Sequence, residues 1–160
     1  MLPPIGVWCM VAQMGGGKMR LWVVSVACLM IASPSHAEDD ISGQAETIWS
    51  AFHCAALATW MDDSPARERL FGIALREGRK FYKAMQDGRS LPLDLMLSLP
   101  SPIVDSSIGV VSPDFSLGQV WTGAVNEARR SIGQKHFASD GSRKIAAASL
   151  YEQNDCLLVH

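Results

Sequence analysis

Residues 64–88 read SPARERLFGIALREGRKFYKAMQDG and contain the start, the apolar stripe and the stop of one amphipathic helix. Ser64-Pro65 marks the start, because serine is a favoured N-cap and proline suits the first helical position, where an N–H would have no helical partner. Asp87-Gly88 marks the stop. The stretch predicts a helix from Pro65 to about Gln86, whose apolar stripe comprises Leu70, Ile73, Ala74, Phe81 and Met85.

Gly78 falls on this apolar stripe, just before Phe81-Tyr82. A glycine inside a helix costs about 1 kcal/mol relative to alanine, so its presence calls for a structural reason. We expect the reason to be the close approach of a neighbouring helix.

The same start signal recurs at Ser112-Pro113 and predicts another amphipathic helix, from Pro113 to about Ile132, which Gly133 ends. Its apolar stripe comprises Leu117, Val120, Trp121, Ala124, Val125, Ala128 and Ile132.

Two further helices are predicted outside this pair. The first runs from about Ser42 to about Met61, with a stripe of Ile41, Ala45, Ile48, Trp49, Phe52, Ala56 and Trp60. The last covers about residues 142–153, with Ile145, Ala148 and Leu150 facing inward. The tryptophans are assigned to the core, and Trp60 becomes an interface candidate if it is exposed. The chain is therefore predicted to be all-α, a small bundle of about four main helices.

Residues 91–111 follow neither helical nor strand rules cleanly. Five leucines alternate from Leu91 to Leu99, which is a strand period, but prolines interrupt the run and no second strand is present to pair with it. We expect a short helix around residues 93–98, followed by an extended and buried connection through residues 108–111.

Residues 19–37, MRLWVVSVACLMIASPSHA, are typical of a secretory signal peptide. Arg20 supplies the positive charge, a short apolar run follows, and Ser35-His36-Ala37 has small residues where a signal peptidase cuts. The apolar run is shorter than the roughly 18–20 residues that span a bilayer, so a retained transmembrane anchor is the weaker interpretation, and a lipoprotein anchored at Cys28 is weaker still. The true start is Met14 or Met19 if residues 1–18 are an over-extension.

Cleavage after Ala37 leaves residues 38–160 as a single helical domain, periplasmic or secreted. That domain keeps all 16 acidic residues and loses only Lys18 and Arg20 of the 14 basic ones, which gives a net charge of −4. A negative charge argues against non-specific binding to nucleic acid.

Cys54 and Cys156 are the two cysteines that remain after cleavage, because Cys9 and Cys28 leave with the leader. An even pair in an oxidising compartment predicts a disulfide, which closes a loop of about 100 residues worth about 4–5 kcal/mol at most. The alternative is a metal site of His53, Cys54, Cys156 and His160, whose spacing matches no recognised zinc module. No metal and no cofactor is predicted, and no set of residues indicates a catalytic site.

Arg76, Arg79, Lys80 and Lys83 recur at i, i+3, i+4 and i+7 on one face of the helix at residues 65–86. Charged side chains usually form a solvated helix face. The functional alternative is a docking patch for an acidic partner or for anionic lipid headgroups.

These features predict an exported, non-catalytic helical protein that binds another envelope or exported protein. An inhibitor or immunity-type role, or an accessory role in an envelope assembly, fits them. The alternative is a carrier of a small molecule or lipid in a cavity between helices, which the apolar surplus of residues 91–111 suggests.

Overall fold

The helix predicted at residues 65–86 is present in a computed structural model that describes residues 35–133 and 139–160, with the backbone alone for residues 35–40. The described residues form only helices and turns. In chain order the elements are α1 (Ser35–Met61), α2 (Ser64–Gln86), α3 (Leu93–Ser98), α4 (Ser101–Ser107), α5 (Pro113–Gly133), α6 (Asp140–Gln153) and a 3-10 turn (Cys156–Leu158). The all-α prediction is confirmed, with four long helices and two short ones. Residues 1–34, which make up most of the predicted leader at residues 1–37, lie outside the described residues.

The N-caps of α2 and α5 differ although a Ser-Pro pair lies at the start of both helices. The N-cap of α2 is Asp63 rather than the predicted Ser64, and its carboxylate accepts a hydrogen bond from the Ala66 N–H at 3.0 Å. A carboxylate at this position also interacts favourably with the helix dipole. At α5 the prediction is correct, since Ser112 Oγ accepts from the Phe115 N–H at 3.2 Å.

Helix α1 begins at Ser35, about two turns earlier than the predicted start near Ser42, and ends at Met61 as expected. Ala37-Glu38-Asp39-Asp40 extends it, because acidic residues are favoured near a helix N-terminus. The predicted cleavage site after Ala37 falls in the first turn of this helix.

The four long helices alternate in direction around α1. Phe71 of α2 packs edge-to-face on Trp121 of α5, while Arg79 reaches Asp114, so α2 and α5 are antiparallel. The N-terminal part of α1 packs with Leu117 and Val120 at the start of α5, and its C-terminal part packs with Ala128 and Ile132 at the end, so α1 and α5 run parallel. Lys144 of α6 pairs with Asp62 while Cys156 joins Cys54, so α6 runs antiparallel to α1.

The core has two halves that meet along α1. One half joins the N-terminal part of α1 to the C-terminal part of α2, to α3 and α4, and to the start of α5. The other joins the C-terminal part of α1 to the start of α2, the end of α5, α6 and the 3-10 turn. The predicted stripes of α1, α2 and α5 are buried, except that Trp49, Trp60, Trp121 and Val125 are half-buried.

Residues 91–111 depart from prediction after α3, which matches the expected short helix. A second short helix, α4, was missed because its prolines resemble breaks, whereas Pro102 lies in the first turn, where proline is compatible with a helix. The connection that follows is not buried as predicted, since Ile108 is 68% exposed and Val111 is 76% exposed. Only Val110 packs partly against the core.

Helix α6 starts at Asp140, capped by Ser139, and its buried face is rotated from the predicted one, although the predicted Leu150 still packs partly against the core. Ile145 is 74% exposed rather than inward-facing, and Ala146, Ala147 and Tyr151 are buried. The two alanines are small enough for α6 to pack closely on α1, and neighbouring positions on a helix point about 100° apart.

A buried polar network joins α2, α4 and α5. The hydroxyls of Tyr82 and Ser106 lie 2.5 Å apart, and Ser116 Oγ donates to the Ser106 carbonyl oxygen at 3.0 Å. Burial raises the pKa of Tyr82 to about 12. Because these buried hydroxyls satisfy each other, the network fixes α4 against the two long helices.

Gly78 fulfils the expectation of a close helix approach, because it faces Leu117 of α5. A β-carbon built at Gly78 would overlap Leu117 Cδ2 and lie 3.2 Å from Leu117 Cγ. Leu117 is itself buried, so its side chain has little room to move.

We expect Gly78→Ala to lower the free energy of unfolding by about 1–3 kcal/mol, since the overpacking cost exceeds the gain in helix propensity. Urea denaturation measures this. The matched control is Gly72→Ala on the same helix, where nothing lies within 4 Å of the added carbon and the change should be neutral or stabilising. The cost of Gly78→Ala should shrink in a Leu117→Ala background, and an unchanged cost there would refute the proposed overlap.

Candidate functional site

Cys54 and Cys156 form the predicted disulfide, with their Cα atoms 5.5 Å apart across 102 residues of sequence. Both residues are buried, Cys54 in the C-terminal part of α1 and Cys156 in the 3-10 turn. Arg69 of α2 holds the same turn, since its guanidinium donates to the Val159 carbonyl oxygen at 2.6 Å. The C-terminal turn is thus fixed to two helices.

The disulfide removes both sulfurs from the alternative metal site at His53, Cys54, Cys156 and His160. Within the part of the chain that the structure describes, no three His, Cys, Asp or Glu side chains are grouped so that they could hold a metal ion.

We expect the double change Cys54→Ala/Cys156→Ala to lower the free energy of unfolding by about 2–5 kcal/mol, because the unfolded chain loses its long closed loop. Denaturation of the oxidised wild type and the variant in guanidinium chloride measures the difference. Reduction of the wild type under the same conditions serves as the control and should produce the same loss. Equal midpoints for the oxidised and reduced wild type would contradict the expectation.

The predicted docking patch, Arg76, Arg79, Lys80 and Lys83, lies on the exposed face of α2, but each cation is paired. Arg76 and Lys80 both form ion pairs with Glu77. Arg79 forms an ion pair with Asp114 of α5 at 2.8 Å, and Lys83 forms one with Asp87. The pairs lower the pKa of Glu77, mainly through the hydrogen bond from Lys80. The patch is therefore an interlinked set of charges rather than four free cations.

Five large apolar side chains stand exposed within residues 93–115, and we call this set the apolar rim. It comprises Leu93, Leu97, Ile108, Val111 and Phe115, which are 58–81% exposed. Leu93 and Leu97 are one turn apart on α3, and Gln86 at the end of α2 donates to the Val111 carbonyl oxygen at 3.5 Å. The rim thus belongs to the half of the bundle opposite the disulfide.

A cleft of about 750 Å³ opens between α1, α4, α5 and α6, and we call it the His53 cleft. Its walls are Trp49, His53, Pro100, Ser101, Pro102, Glu127, Arg130, Ser131, Leu150 and Asn154. The volume lies within the range usual for small-molecule sites, and the walls mix aromatic, apolar and charged groups.

His53 stacks on Trp49 in this wall, with ring centroids 6.1 Å apart and planes 9° from parallel. Its Nε2 atom is buried and has no hydrogen-bond partner in the described structure. Burial lowers the pKa of His53 below 6.5, and the nearby Glu127 carboxylate opposes this in part. The imidazole is therefore held neutral at pH 7, with one polar atom unsatisfied.

Glu127 and Arg130 place opposite charges side by side on the cleft. Arg130 Nη2 donates to Glu127 Oε2 at 2.7 Å, and the Ser131 hydroxyl donates to Glu127 Oε1 at 3.3 Å. The Arg130 side chain remains 68% exposed and that of Glu127 41%. Both groups keep hydrogen-bonding capacity toward the cleft.

The sequence marks His53 only as an alternative metal ligand, and the rest of this cleft was not predicted from it. Its residues come from α1, α4, α5 and α6, which are far apart in sequence, and Glu127 and Arg130 look like an ordinary i,i+3 surface pair. No local pattern could have grouped them.

The chain matches no protein-family model, no curated protein and no solved structure. None of the helices among the described residues is long and apolar enough to cross a membrane.

We expect the free energy of unfolding to fall as the pH is lowered through and below 6.5, because His53 binds protons more readily in the unfolded chain than in the fold. Denaturation at a series of pH values from roughly 8 to 5 measures the slope. His53→Phe should flatten part of this slope, whereas His160→Phe, a change at an exposed residue, is the matched control. A wild-type slope that survives intact in His53→Phe would argue against the assignment.

Proposed function

We propose that this is an exported, non-catalytic helical protein that acts by binding another protein, as an inhibitor, an immunity-type protein or an accessory of an envelope assembly. The apolar rim is the observation that carries the proposal. It concentrates five of the eight large apolar side chains that are exposed among the described residues.

Isolated apolar residues are common on protein surfaces, whereas large exposed apolar patches mark interaction surfaces, and all five rim residues come from the short segment 93–115. Exposing an apolar side chain forgoes about 25 cal/mol for each square ångström that burial would remove from water. A partner that covers Leu93, Leu97 and Phe115 would recover that free energy. Leu93 and Leu97, one helical turn apart, have the i, i+4 spacing with which a helix presents apolar side chains to a groove.

The basic patch adjoins this surface, because Arg79 bonds Asp114, the residue before Phe115. Exposed ion pairs are worth about 0–1 kcal/mol, so a partner's carboxylates can replace those of Asp87 and Asp114, which are 60% and 70% exposed, at little cost. This combination favours a partner whose surface is apolar at its centre and acidic at its edge.

Export is supported by the predicted leader and by the Cys54–Cys156 disulfide, since disulfides persist in oxidising compartments. The interaction would then take place outside the cytoplasm, with an envelope or exported protein.

The alternative function is a carrier of a small molecule. The apolar surplus of residues 91–111 first suggested it, but that surplus lies mainly on the surface as the rim. The observation that favours a carrier is instead the His53 cleft, whose mixed walls suit a polar ligand better than a lipid.

We expect the double change Leu97→Ser/Phe115→Ser to abolish capture of a stoichiometric partner from a periplasmic extract by the immobilised mature domain. The matched control is Ile145→Ser/Leu157→Ser, which removes two equally exposed apolar side chains outside the rim. Circular dichroism checks that both variants fold.

Partner capture by the wild type and by the control, lost in the rim variant, would support the proposal. A protein that captures no partner, or one whose partner binds both variants alike, would oppose it. Mass spectrometry of a native extract of the same preparation tests the carrier alternative, which a co-purified small molecule would favour.

A further inference from the structure

We infer that the His53 cleft is a binding site for a small zwitterion of the α-amino acid type, with an apolar side chain. The inference does not depend on the protein-binding proposal, because none of the cleft residues belongs to the apolar rim. It rests on the spacing of two opposite charges, on the neutral histidine beside them and on the apolar wall.

The charge spacing selects the class of ligand. Glu127 and Arg130 are in direct contact at 2.7 Å, so a ligand that pairs with both must carry its own two charges close together. An α-amino acid has an ammonium and a carboxylate separated by a single carbon. Its ammonium can bond the Glu127 carboxylate while its carboxylate bonds the Arg130 guanidinium, which presents donors in a planar fork.

Breaking the ion pair between Glu127 and Arg130 to bind a ligand costs little free energy. The side chains of Arg130 and Glu127 are 68% and 41% exposed, and exposed pairs contribute little to stability. A single anion would leave Glu127 facing it as a repulsive charge, and a single cation would face Arg130 in the same way. A zwitterion avoids both conflicts.

His53 provides a further reason for an ammonium at this place. Burial lowers the pKa of His53, so the ring carries no positive charge that would repel an ammonium paired with Glu127. The ring lies in the wall of the cleft, stacked on Trp49, beside the place that this ammonium would occupy.

The remaining walls are suited to an apolar side chain. Trp49, Leu150 and two prolines line the cleft beside the charged groups. Gly123 fixes this wall, because its missing side chain lets Pro102 approach α5, where a β-carbon would lie 2.5 Å from Pro102 Cγ. The proline rings are therefore held in place, and a phenyl or branched aliphatic group is the ligand side chain that matches them.

The test is a titration of the oxidised mature protein with L-phenylalanine, followed by heteronuclear NMR of the His53 ring and of the backbone. We expect saturable shifts at Trp49, His53 and the 127–131 segment. N-acetyl-L-phenylalanine, which lacks the ammonium, and L-phenylalaninamide, which lacks the carboxylate, should each bind about tenfold more weakly or worse, since one charged hydrogen-bonding group is lost.

Variants connect binding to the two charges. Glu127→Gln and Arg130→Gln should each weaken L-phenylalanine about tenfold, and the matched control Glu152→Gln, an exposed residue of α6 outside the cleft, should bind like the wild type. Circular dichroism confirms the fold of each variant. Absence of saturable shifts in the wild type, or equal binding of the amino acid and its two blocked analogues, would overturn the inference.

Discussion

Residues 51–58 of α1 are buried among the other long helices, and the arrangement of those helices follows from this burial. From Ala51 to Ala58 only His53 is not fully buried, and most of these residues are small. Small side chains allow α2, α5 and α6 to pack closely around one axis, so each of them needs only a single apolar stripe. Helix α1 therefore forms the boundary shared by both halves of the core. The long helices around it alternate in direction.

Both candidate sites arise from the connection between α2 and α5. Antiparallel helices in a bundle are commonly joined by roughly 2–8 residues, whereas here residues 87–112 separate them. The surplus folds into α3 and α4 at the end of the bundle where α2 stops. Its outer side chains supply most of the apolar rim, and its prolines supply one wall of the His53 cleft. The long helices form the bundle, and this connection adds the apolar rim and one wall of the cleft to it.

Periodicity predicted the long helices because each has a stripe that burial requires, and it predicted Gly78 against a neighbour because a helix interior rarely tolerates glycine without one. Periodicity failed where the pattern of apolar residues does not determine which residues are helical or which face of a helix is buried. The prolines of α4 are compatible with a helix start as well as with a break. In α6, alanines lie on more than one face, and because alanine is only weakly apolar they do not indicate which face is buried. The cleft could not be predicted, since Trp49, Glu127 and Leu150 meet only after α1, α5 and α6 have packed.

The two halves of the core are stabilised by different means, and this bears on where a partner can bind. The half around Cys54 and Cys156 is covalently closed and further held by Arg69. The half that carries the apolar rim depends on packing and on the Tyr82–Ser106 hydrogen bond. Local opening favours the regions with fewer constraints, so side chains of the rim can adjust to a partner while the closed half keeps the fold intact. Recognition at one end and rigidity at the other would be consistent with the proposed binding function.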